Sequence, residues 1–465
     1  MMMSEEFMDN PSGDNSLKNI QLIALSFMMV LISIKSDRYF PLPPMPDFSF
    51  QILLIPYTMS FLLAAFFLLF PEKTPLLFKS LVKKLSILHV ATVIAILFET
   101  MTLVLLFVQN LRYKEFGYKL DMVLTCFLMS IIFIGLLGIF FSKYSRSMHL
   151  FILASIAYTT IYLLSILSFP LDPFRSDMLP LIVAGCKNFL TGINPYTFYH
   201  IPHLLTMTYL PGLWLSFLPS ANFGFDPRII NLVSIILSVI ILYSFGRNQK
   251  KAAIFLSIFL LNPYLQYRHE IYLGVVFLGL SVAYVLLINN RPILSSVFFG
   301  YAMTTYQFVW VIFPFFVAYI YNKYGKKNAF FVIVIVTTIF VAMVGSFFVW
   351  SPSDFILGIF QHWTSTGDVP TVNLSYFISY IIPWDHLLYL QGFVMLFLFL
   401  VTFKRLISLR ETLRWMTIGL LVFIILNRII EVYFFLLVFL LMTMFILTFN
   451  LSGQQDHINS DVCTD

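Results

Sequence analysis

Apolar residues follow one another in long, nearly unbroken runs from one end of the chain to the other. Most runs contain about 17–25 residues, which is enough for an α-helix to cross roughly 30 Å of hydrocarbon. The pattern therefore predicts an all-α, polytopic integral membrane protein with about 13 transmembrane helices. The candidate segments number fourteen, of which the pair 293–306 and 308–321 is short and tightly joined around Gln307. They are 17–34, 50–70, 85–108, 121–142, 149–169, 228–245, 251–267, 271–288, 293–306, 308–321, 329–350, 386–403, 413–428 and 429–449.

The composition excludes several other classes of protein. Hydrophobic residues make up 60% of the 465 residues and charged residues only 11%, whereas a soluble domain is nearer a quarter charged. The net charge of +6 comes from short basic loops, so nucleic acid is not an expected partner, and membrane lipids are. The three cysteines are far apart and lack the spacing of metal ligands, so no metal, cofactor or disulfide framework is predicted.

Basic clusters between the spans predict the orientation, since cytoplasmic loops carry an excess of Lys and Arg. With all five clusters inside, loops 170–205 and 351–385 lie outside. Segment 204–219, which is short and contains Pro211 and Gly212, then has to enter and leave on the same face, as a re-entrant or surface-lying element. The clusters are Lys79/Lys83/Lys84, Lys143/Arg146, Arg247/Lys250/Lys251, Lys323/Lys326/Lys327 and Lys404/Arg405/Arg410/Arg414.

The ionisable residues outside the basic clusters collect on the predicted outer face. Loop 170–205 holds acids, bases and histidines, and loop 351–385 adds Asp354, His362, Asp368 and Asp385. The short outer turn 263–270 adds Arg268, His269 and Glu270. This distribution predicts a reaction centre facing outside on a multi-pass protein, most simply in a cell inner or plasma membrane.

Within loop 170–205 the sequence predicts an amphipathic helix lying along the interface. Ser176 or Asp177 can cap it, Pro180 is tolerated in its first turn, and Gly192 ends it before Asn194-Pro195. The free N–H groups and positive dipole at its start suit a phosphate.

The order of these elements resembles the GT-C superfamily of membrane glycosyltransferases. A span is followed by an acidic loop, an interfacial helix, a G-x-N-P-Y turn and a Y-x-P segment. The resemblance is to the branch that uses polyprenyl-phosphate sugars, which includes mannosyltransferases. It covers roughly residues 149–350, and the residues that carry it are Asp177, Gly192, Asn194, Pro195, Tyr196, Tyr209, Pro211 and the turn Asn262-Pro263-Tyr264.

The resemblance implies four parts of the chain. Residues 1–148 form an N-terminal membrane segment of four helices, and 149–350 form the catalytic membrane core. Residues 351–449 hold the second outer loop and the C-terminal helices, and 450–465 form a disordered tail. Relatives commonly have one span before the acidic loop, whereas here four extra spans precede it, and Gln307 stands where relatives often have a Lys.

The implied reaction moves a sugar, mannose for example, from a polyprenyl-phosphate donor to a hydroxyl of a glycan or lipid acceptor. Asp177 is the first candidate for the general base and Asp172 the second. Arg268, His269 and Arg175 are candidates for holding the leaving phosphate. Tyr196, Tyr209 and Trp214 offer flat surfaces for sugar and prenyl chain. The substrate-binding residues are then Arg175, Asn194, Tyr196, Tyr209, Trp214, Arg268, His269 and Glu270.

Most of these residues have a simpler structural interpretation. Asp177 can be a helix cap and no more, and Asp172, which precedes Pro173, can begin a turn. Arg268 can extend towards lipid headgroups, and Tyr209 and Trp214 can be ordinary interfacial aromatics. Glu99 lies inside a predicted span, where a packing or partner role is expected of it.

Three other functions remain open on the sequence. A polysaccharide polymerase or ligase uses similar lipid-linked sugars, but favours a more basic outer loop for a pyrophosphate. A lipid or solute transporter suits a dozen helices, although no internal repeat is visible and the polar residues collect at one face. A subunit that scaffolds another transferase is the third.

Overall fold

The computed structural model describes residues 11–36, 60, 62–70, 86–113, 122–142, 146–173, 176–201, 204–245, 249–267, 271–364, 384–427 and 433–448. In this part of the chain nearly all residues are helical, and the one sheet is a two-stranded hairpin. In chain order the elements are α1 Pro11–Ser36, α2 62–69, α3 Ile87–Tyr113, α4 Met122–Phe141, α5 Ser147–Ser168, α6 Met178–Leu190, β1 Phe198–His200, β2 Leu204–Thr206, α7 Pro211–Ser216, α8 Leu218–Phe223, α9 Arg228–Ser244, α10 Gln249–Leu260, α11 Pro263–Tyr267, α12 Gly274–Ile288, α13 Pro292–Thr305, α14 Phe308–Tyr324, α15 Lys326–Trp350, α16 Pro352–Thr364, α17 Trp384–Thr402, α18 Leu409–Leu426 and α19 Phe434–Leu447.

Four helical segments in the described chain are long and apolar enough to cross a membrane, judged by length and composition. They are Ile87–Val108, Val123–Phe141, Ser147–Ser168 and Lys326–Trp350. Two of these segments turn large apolar side chains outward, as Val123 and Val349 show with exposures of 83% and 77%. Outward apolar surface of this kind suits contact with lipid, so the described chain is compatible with an all-α membrane protein.

The predicted span 251–267 is not one continuous helix. It consists of α10 and the short helix α11, which are separated at Leu261 and Asn262. Pro263 lacks an N–H and so starts a new helix, and the Asn262 side chain accepts a 3.0 Å hydrogen bond from the Tyr264 N–H. The 12 residues of α10 extend only about 18 Å, which is short for a full crossing.

The second predicted outer loop, 351–385, begins with a helix that the sequence analysis did not predict. Helix α16 starts at Pro352, and the Ser351 hydroxyl donates a 2.6 Å hydrogen bond to the Asp354 carboxylate. Pro in the first turn and a Ser three residues before an Asp are typical of a helix start. Asp354 therefore serves the start of this helix, while the side chains of His362, Asp368 and Asp385 lie outside the described residues.

The N-terminal helices pack on the centre of the protein at two places. Helices α1 and α3 both contact the short helix α11, and α3 also contacts α10. Helix α4 contacts α5, which in turn packs along α10. In the centre, α12 lies between α9 and α13, and α13 packs against α15.

Candidate functional site

The loop that carries the candidate bases is anchored by Arg228, at the start of α9. The Arg228 guanidinium is 1% exposed and donates hydrogen bonds to the carbonyls of Phe169 at 2.6 Å and Ile166 at 3.2 Å. It also forms an ion pair with Asp226 at 2.6 Å. These carbonyls belong to the last turn of α5 and to the residue that follows it, where helical partners run out. Arg228 thus fixes the chain three residues before Asp172.

Asp177 occupies the N-cap position of α6, but its side chain makes no capping hydrogen bond. An N-cap side chain normally accepts from the N–H of the second or third helical residue, and here the third is Pro180, which has no N–H. Asp177 therefore holds the N-cap position without a capping hydrogen bond to its carboxylate. The backbone carbonyl of Asp177 does accept the first helical bond, from Leu181 at 2.9 Å.

Asp172 lies at the other end of the same short loop. Its backbone carbonyl accepts a 3.0 Å hydrogen bond from the N–H of Ser176, which closes a turn as its simpler interpretation anticipated. Both Asp172 and Asp177 are half-buried. Arg175, between them in sequence, lies outside the described residues.

Helix α6 ends as the sequence predicts. Gly192 has a φ of 77°, a conformation that costs glycine little, and the N–H of Ile193 reaches back to the Asn188 carbonyl at 2.8 Å. The Asn194 side chain then accepts a 2.9 Å hydrogen bond from the Tyr196 N–H. That bond uses the Asn194 amide oxygen to shape the Asn194-Pro195 turn.

A β-hairpin follows the turn, and the sequence analysis did not predict it. Strands β1 and β2 pair antiparallel, with Tyr199 opposite Leu205. His200 is exposed on β1, and His203 lies outside the described residues. Segment 204–219 is not one continuous element, because it contains β2, α7 and the start of α8.

Tyr196 and Trp214 are buried inside the protein and connect loop 170–205 to the segment that follows it. The Tyr196 hydroxyl donates a 2.8 Å hydrogen bond to the carbonyl of Tyr209 and accepts one from the Trp214 indole N–H at 3.4 Å. The Trp214 ring packs on Phe189 and Phe347, with centroids 5.2 and 5.0 Å apart. Trp214 is 0% exposed, so it is not an interfacial belt residue.

The two predicted outer loops contact one another at Tyr196. The rings of Tyr196 and Phe355, in α16, have centroids 4.7 Å apart. Gly358, one turn further along α16, lies against the backbone carbonyl of Met207. Loop 351–385 thus begins with a helix packed on residues that flank the hairpin.

Two titratable groups beneath the hairpin are kept protonated by burial. Burial raises the pKa of Tyr199 to about 12, although the hydrogen bond from the Asn188 amide lowers it. Burial also raises the pKa of the Cys186 thiol to about 12, and this thiol donates to the Trp214 carbonyl at 3.0 Å. Neither group is suited to act as a base near neutral pH.

Tyr209 belongs to a group of tyrosines that connects the outer loop to the segment after Glu270. The Tyr209 and Tyr272 rings have centroids 4.7 Å apart, and Tyr272 lies 6.3 Å from Tyr306 and 5.9 Å from Tyr433. The amide of Gln307 donates to the Thr208 carbonyl at 3.1 Å, which fixes the same segment from the start of α14. The structure therefore places Tyr209 beside a residue only two positions after Glu270.

The remaining candidates are outside the described residues, namely Arg268, His269 and Glu270. Their flanks are fixed by Asn231 of α9, whose amide oxygen accepts a 2.6 Å hydrogen bond from the Gly274 N–H. The Asn231 amide N–H₂ donates to the Tyr162 hydroxyl at 2.9 Å. Within the described chain, no three His, Cys, Asp or Glu side chains come together as metal ligands.

Sequence reasoning missed Arg228 and Asn231, which position the loop and the turn. A signal for Arg228 was available, because it stands at the outer end of the predicted span 228–245, where Lys and Arg are scarce. A basic residue at the predicted outer end of a span indicates that its side chain has a specific partner within the protein. Asn231 carried no signal beyond being a polar residue inside a span.

Comparison with known proteins gave no match for this chain. No protein-family model matches the sequence, and neither a curated protein nor a solved structure matches it. The function is therefore argued from the site itself.

Proposed function

We propose that the protein is a membrane glycosyltransferase of the GT-C type, with about 13 transmembrane helices. It moves a sugar from a polyprenyl-phosphate donor to a hydroxyl acceptor at the extracytoplasmic face. The observation that supports this most directly is the carboxylate of Asp177. It stands half-buried at the start of α6 and is not used to cap the helix.

In the proposed reaction the acceptor hydroxyl gives its proton to the Asp177 carboxylate as its oxygen attacks the anomeric carbon of the sugar. The bond from that carbon to the phosphate oxygen breaks, and the polyprenyl phosphate leaves with the electron pair. A positioned carboxylate is worth about 10²–10⁴ in rate for such a proton transfer. Asp172, at the other end of the loop, is the second candidate for the base.

The leaving phosphate requires cations or N–H donors, because negative charge develops on it as the bond breaks. The N–H groups of the first turn of α6 lie at the N-terminus of this helix, beside Asp177, and such groups can bind a phosphate. Arg175, Arg268 and His269 are the proposed cationic partners, and Glu270 the proposed acidic neighbour. The contact between Tyr209 and Tyr272 supports a shared site for the loop and the Arg268–Glu270 turn.

The aromatic residues divide into two roles in this proposal. Tyr196 and Trp214 are buried and shape the loop, and Asn194 shapes the turn before it. Tyr209 is half-buried, and its ring is the one we propose to contact the sugar or the prenyl chain.

The test is transfer from a panel of radiolabelled polyprenyl-phosphate sugars by the purified protein in detergent. We expect wild type to turn over with at least one donor and Asp177→Asn to lose about 10²-fold or more. Glu411→Gln is the control, since Glu411 pairs with Arg414 at 2.9 Å and takes no part in the proposed site. Size-exclusion in detergent verifies that each variant is folded.

The outcomes separate the candidate functions. Equal turnover by wild type and a folded Asp177→Asn would assign the base to Asp172 or elsewhere. Absence of turnover with every donor would reject the transferase in favour of a polymerase or ligase, a transporter or a scaffold.

A further inference from the structure

Glu99 is a carboxylic acid in the middle of a segment that is long and apolar enough to cross a membrane, Ile87–Val108. The side chain is 0% exposed. One carboxylate oxygen, Oε1, accepts a 2.9 Å hydrogen bond from the Gln266 amide of α11. The other oxygen, Oε2, has no hydrogen-bond partner.

Among the described residues, no Lys, Arg or His forms an ion pair with Glu99. A bare carboxylate in this position is costly, because an uncompensated charge in a low-dielectric interior loses its hydration and gains nothing in return. Acidic residues inside membrane segments therefore pair, bind an ion or take up a proton. One hydrogen bond from a neutral amide does not supply the missing positive charge.

Two further oxygens at the same contact are also buried without a partner. Thr102 stands three residues after Glu99, on the same face of α3, and its hydroxyl has no hydrogen-bond partner. The amide oxygen of Gln266, the residue that already binds Glu99, is unpartnered as well. Both residues are 0% exposed. The Gln266–Glu99 hydrogen bond joins α11 to α3, which pack on one another, and Thr102 lies about one turn along α3 from Glu99.

We propose that Glu99 Oε2, Thr102 Oγ1 and Gln266 Oε1 form a binding site for one monovalent positive charge, either a proton or an alkali cation. Carboxylate, hydroxyl and amide oxygens are the ligands that hard cations prefer. The single carboxylate balances a single charge, whereas divalent sites usually draw on several carboxylates. In the protonated form, the Glu99 hydroxyl is a new donor, and the Gln266 and Thr102 oxygens are unpartnered acceptors on the same two helices.

The location gives the site a consequence for the fold. Helix α11 is only five residues long, and it leads directly into Arg268. Its described contacts include α1, α3 and α5, so occupancy of the Glu99 site stabilises the contact of the N-terminal helices with this turn. The inference does not depend on the proposed transfer reaction.

The experiment uses the purified protein in detergent and compares wild type, Glu99→Gln and Glu411→Gln. The melting temperature is measured in NaCl, KCl and choline chloride at equal ionic strength, between pH 5 and pH 9. Infrared spectroscopy at neutral pH records whether a buried protonated carboxyl is present. Glu99→Gln is nearly isosteric and neutral, and it keeps an oxygen for the Gln266 bond.

If the site binds an alkali cation, NaCl or KCl should raise the melting temperature of wild type and of Glu411→Gln relative to choline chloride. The melting temperature of Glu99→Gln should then be the same in all three salts. A proton predicts no difference between the salts, and a protonated carboxyl band that disappears only in Glu99→Gln. Either result supports the site and identifies its occupant. Wild type that shows neither a salt-specific shift nor a protonated carboxyl band overturns the proposal.

If Glu99→Gln does not fold, Thr102→Val supplies the second variant. For an alkali cation, loss of the Thr102 oxygen raises the half-saturating concentration about tenfold or more. For a proton, it shifts the carboxyl band of Glu99 because an acceptor for the acid hydroxyl is lost. A Thr102→Val variant with unchanged half-saturation and an unchanged band excludes Thr102 from the site and contradicts the proposal.

Discussion

The guanidinium of Arg228 donates a 2.6 Å hydrogen bond to the carbonyl of Phe169, and the two residues are 59 positions apart in the chain. Phe169 follows the last turn of α5, and Asp172 comes three residues later. The same guanidinium is paired with Asp226, so its charge is neutralised within the protein. One buried side chain therefore determines where the acidic loop begins.

Replacing Arg228 by Met is expected to destabilise the protein by about 2–4 kcal/mol, because Arg228 is buried and Asp226, with 23% of its side chain exposed, would lose its charged partner. The carbonyls of Phe169 and Ile166 would lose their donor as well. The measurement is thermal or denaturant unfolding in detergent.

Arg414→Met is the matched control for this change. Arg414 also forms a 2.9 Å ion pair, with Glu411, but Glu411 is 33% exposed and water can solvate it after the change. The expected loss is smaller, about 1 kcal/mol, and it includes the contacts of the Arg414 guanidinium with the rings of Phe70 and Phe445. Equal losses in the two variants would show that Arg228 has no special role in anchoring the loop.

Gly212→Ala is expected to destabilise the contact between α7 and α13. An added Cβ at Gly212 would lie 2.7 Å from the backbone carbonyl oxygen of Thr304 and would also clash with the Thr304 hydroxyl. Because a backbone atom cannot move aside cheaply, we expect a loss of about 1–3 kcal/mol in unfolding free energy.

Gly138→Ala tests whether that loss comes from the clash with Thr304 or from replacing a helical glycine by alanine in general. Gly138 lies in α4, and an added Cβ there would meet nothing within 4 Å. Alanine is favoured over glycine in a helix by about 0.5–1 kcal/mol, so this variant should be at least as stable as wild type. A Gly212→Ala variant that melts at the wild-type temperature would contradict the close contact between Gly212 of α7 and Thr304 of α13.

The helices of the protein were largely predictable because membrane helices are encoded by long apolar runs. The predicted segments 121–142, 149–169 and 228–245 correspond closely to α4, α5 and α9. The end of α6 was predictable too, since Gly192 and Asn194-Pro195 act locally on the backbone.

Features that depend on distant contacts were not predictable from these local patterns. The hairpin is two three-residue strands, too short to show a clear alternation of apolar and polar residues. The burial of Trp214 depends on Phe347, 133 positions away, which no local pattern shows. The start of α16 was a missed local signal, since Ser351 and Asp354 stand in the sequence at capping distance.

The orientation predicted from the basic clusters leads to an expected labelling result. A cysteine introduced at Thr197, between α6 and the hairpin, should react with a membrane-impermeant thiol reagent in intact cells, because loop 170–205 is predicted to lie outside. A cysteine at Lys327, an exposed residue of a predicted inner cluster, should react only after lysis. The opposite pattern at the two positions would invert the topology.

Cys186 offers a probe of the folded outer loop. Its side chain is 0% exposed, and burial raises the pKa of its thiol to about 12. At pH 8 only about one thiol in 10⁴ is then ionised, and the thiolate is the reactive form. In a protein with Cys126→Ser and Cys463→Ser, iodoacetamide should leave the folded chain unmodified at pH 8 and modify it fully in SDS, as read by intact mass. Rapid modification of the folded chain would show that the Cys186–Trp214 contact opens readily.

The same thiol predicts how stability changes at alkaline pH. Its pKa is raised from 9.0 in the unfolded chain to about 12 in the folded protein. The contribution of the protonated Cys186 thiol to the free energy of unfolding is therefore fully present below pH 9. It is lost as the pH rises from 9 towards 12, because the thiol of the unfolded chain ionises first. Cys186→Ala removes this part of the pH dependence, although it lowers stability at every pH by leaving a small cavity. When the melting temperatures of the two proteins are plotted against pH between pH 8 and pH 11, the two plots should consequently converge as the pH rises. Parallel curves over that range would mean that Cys186 ionises equally easily in the folded and unfolded states.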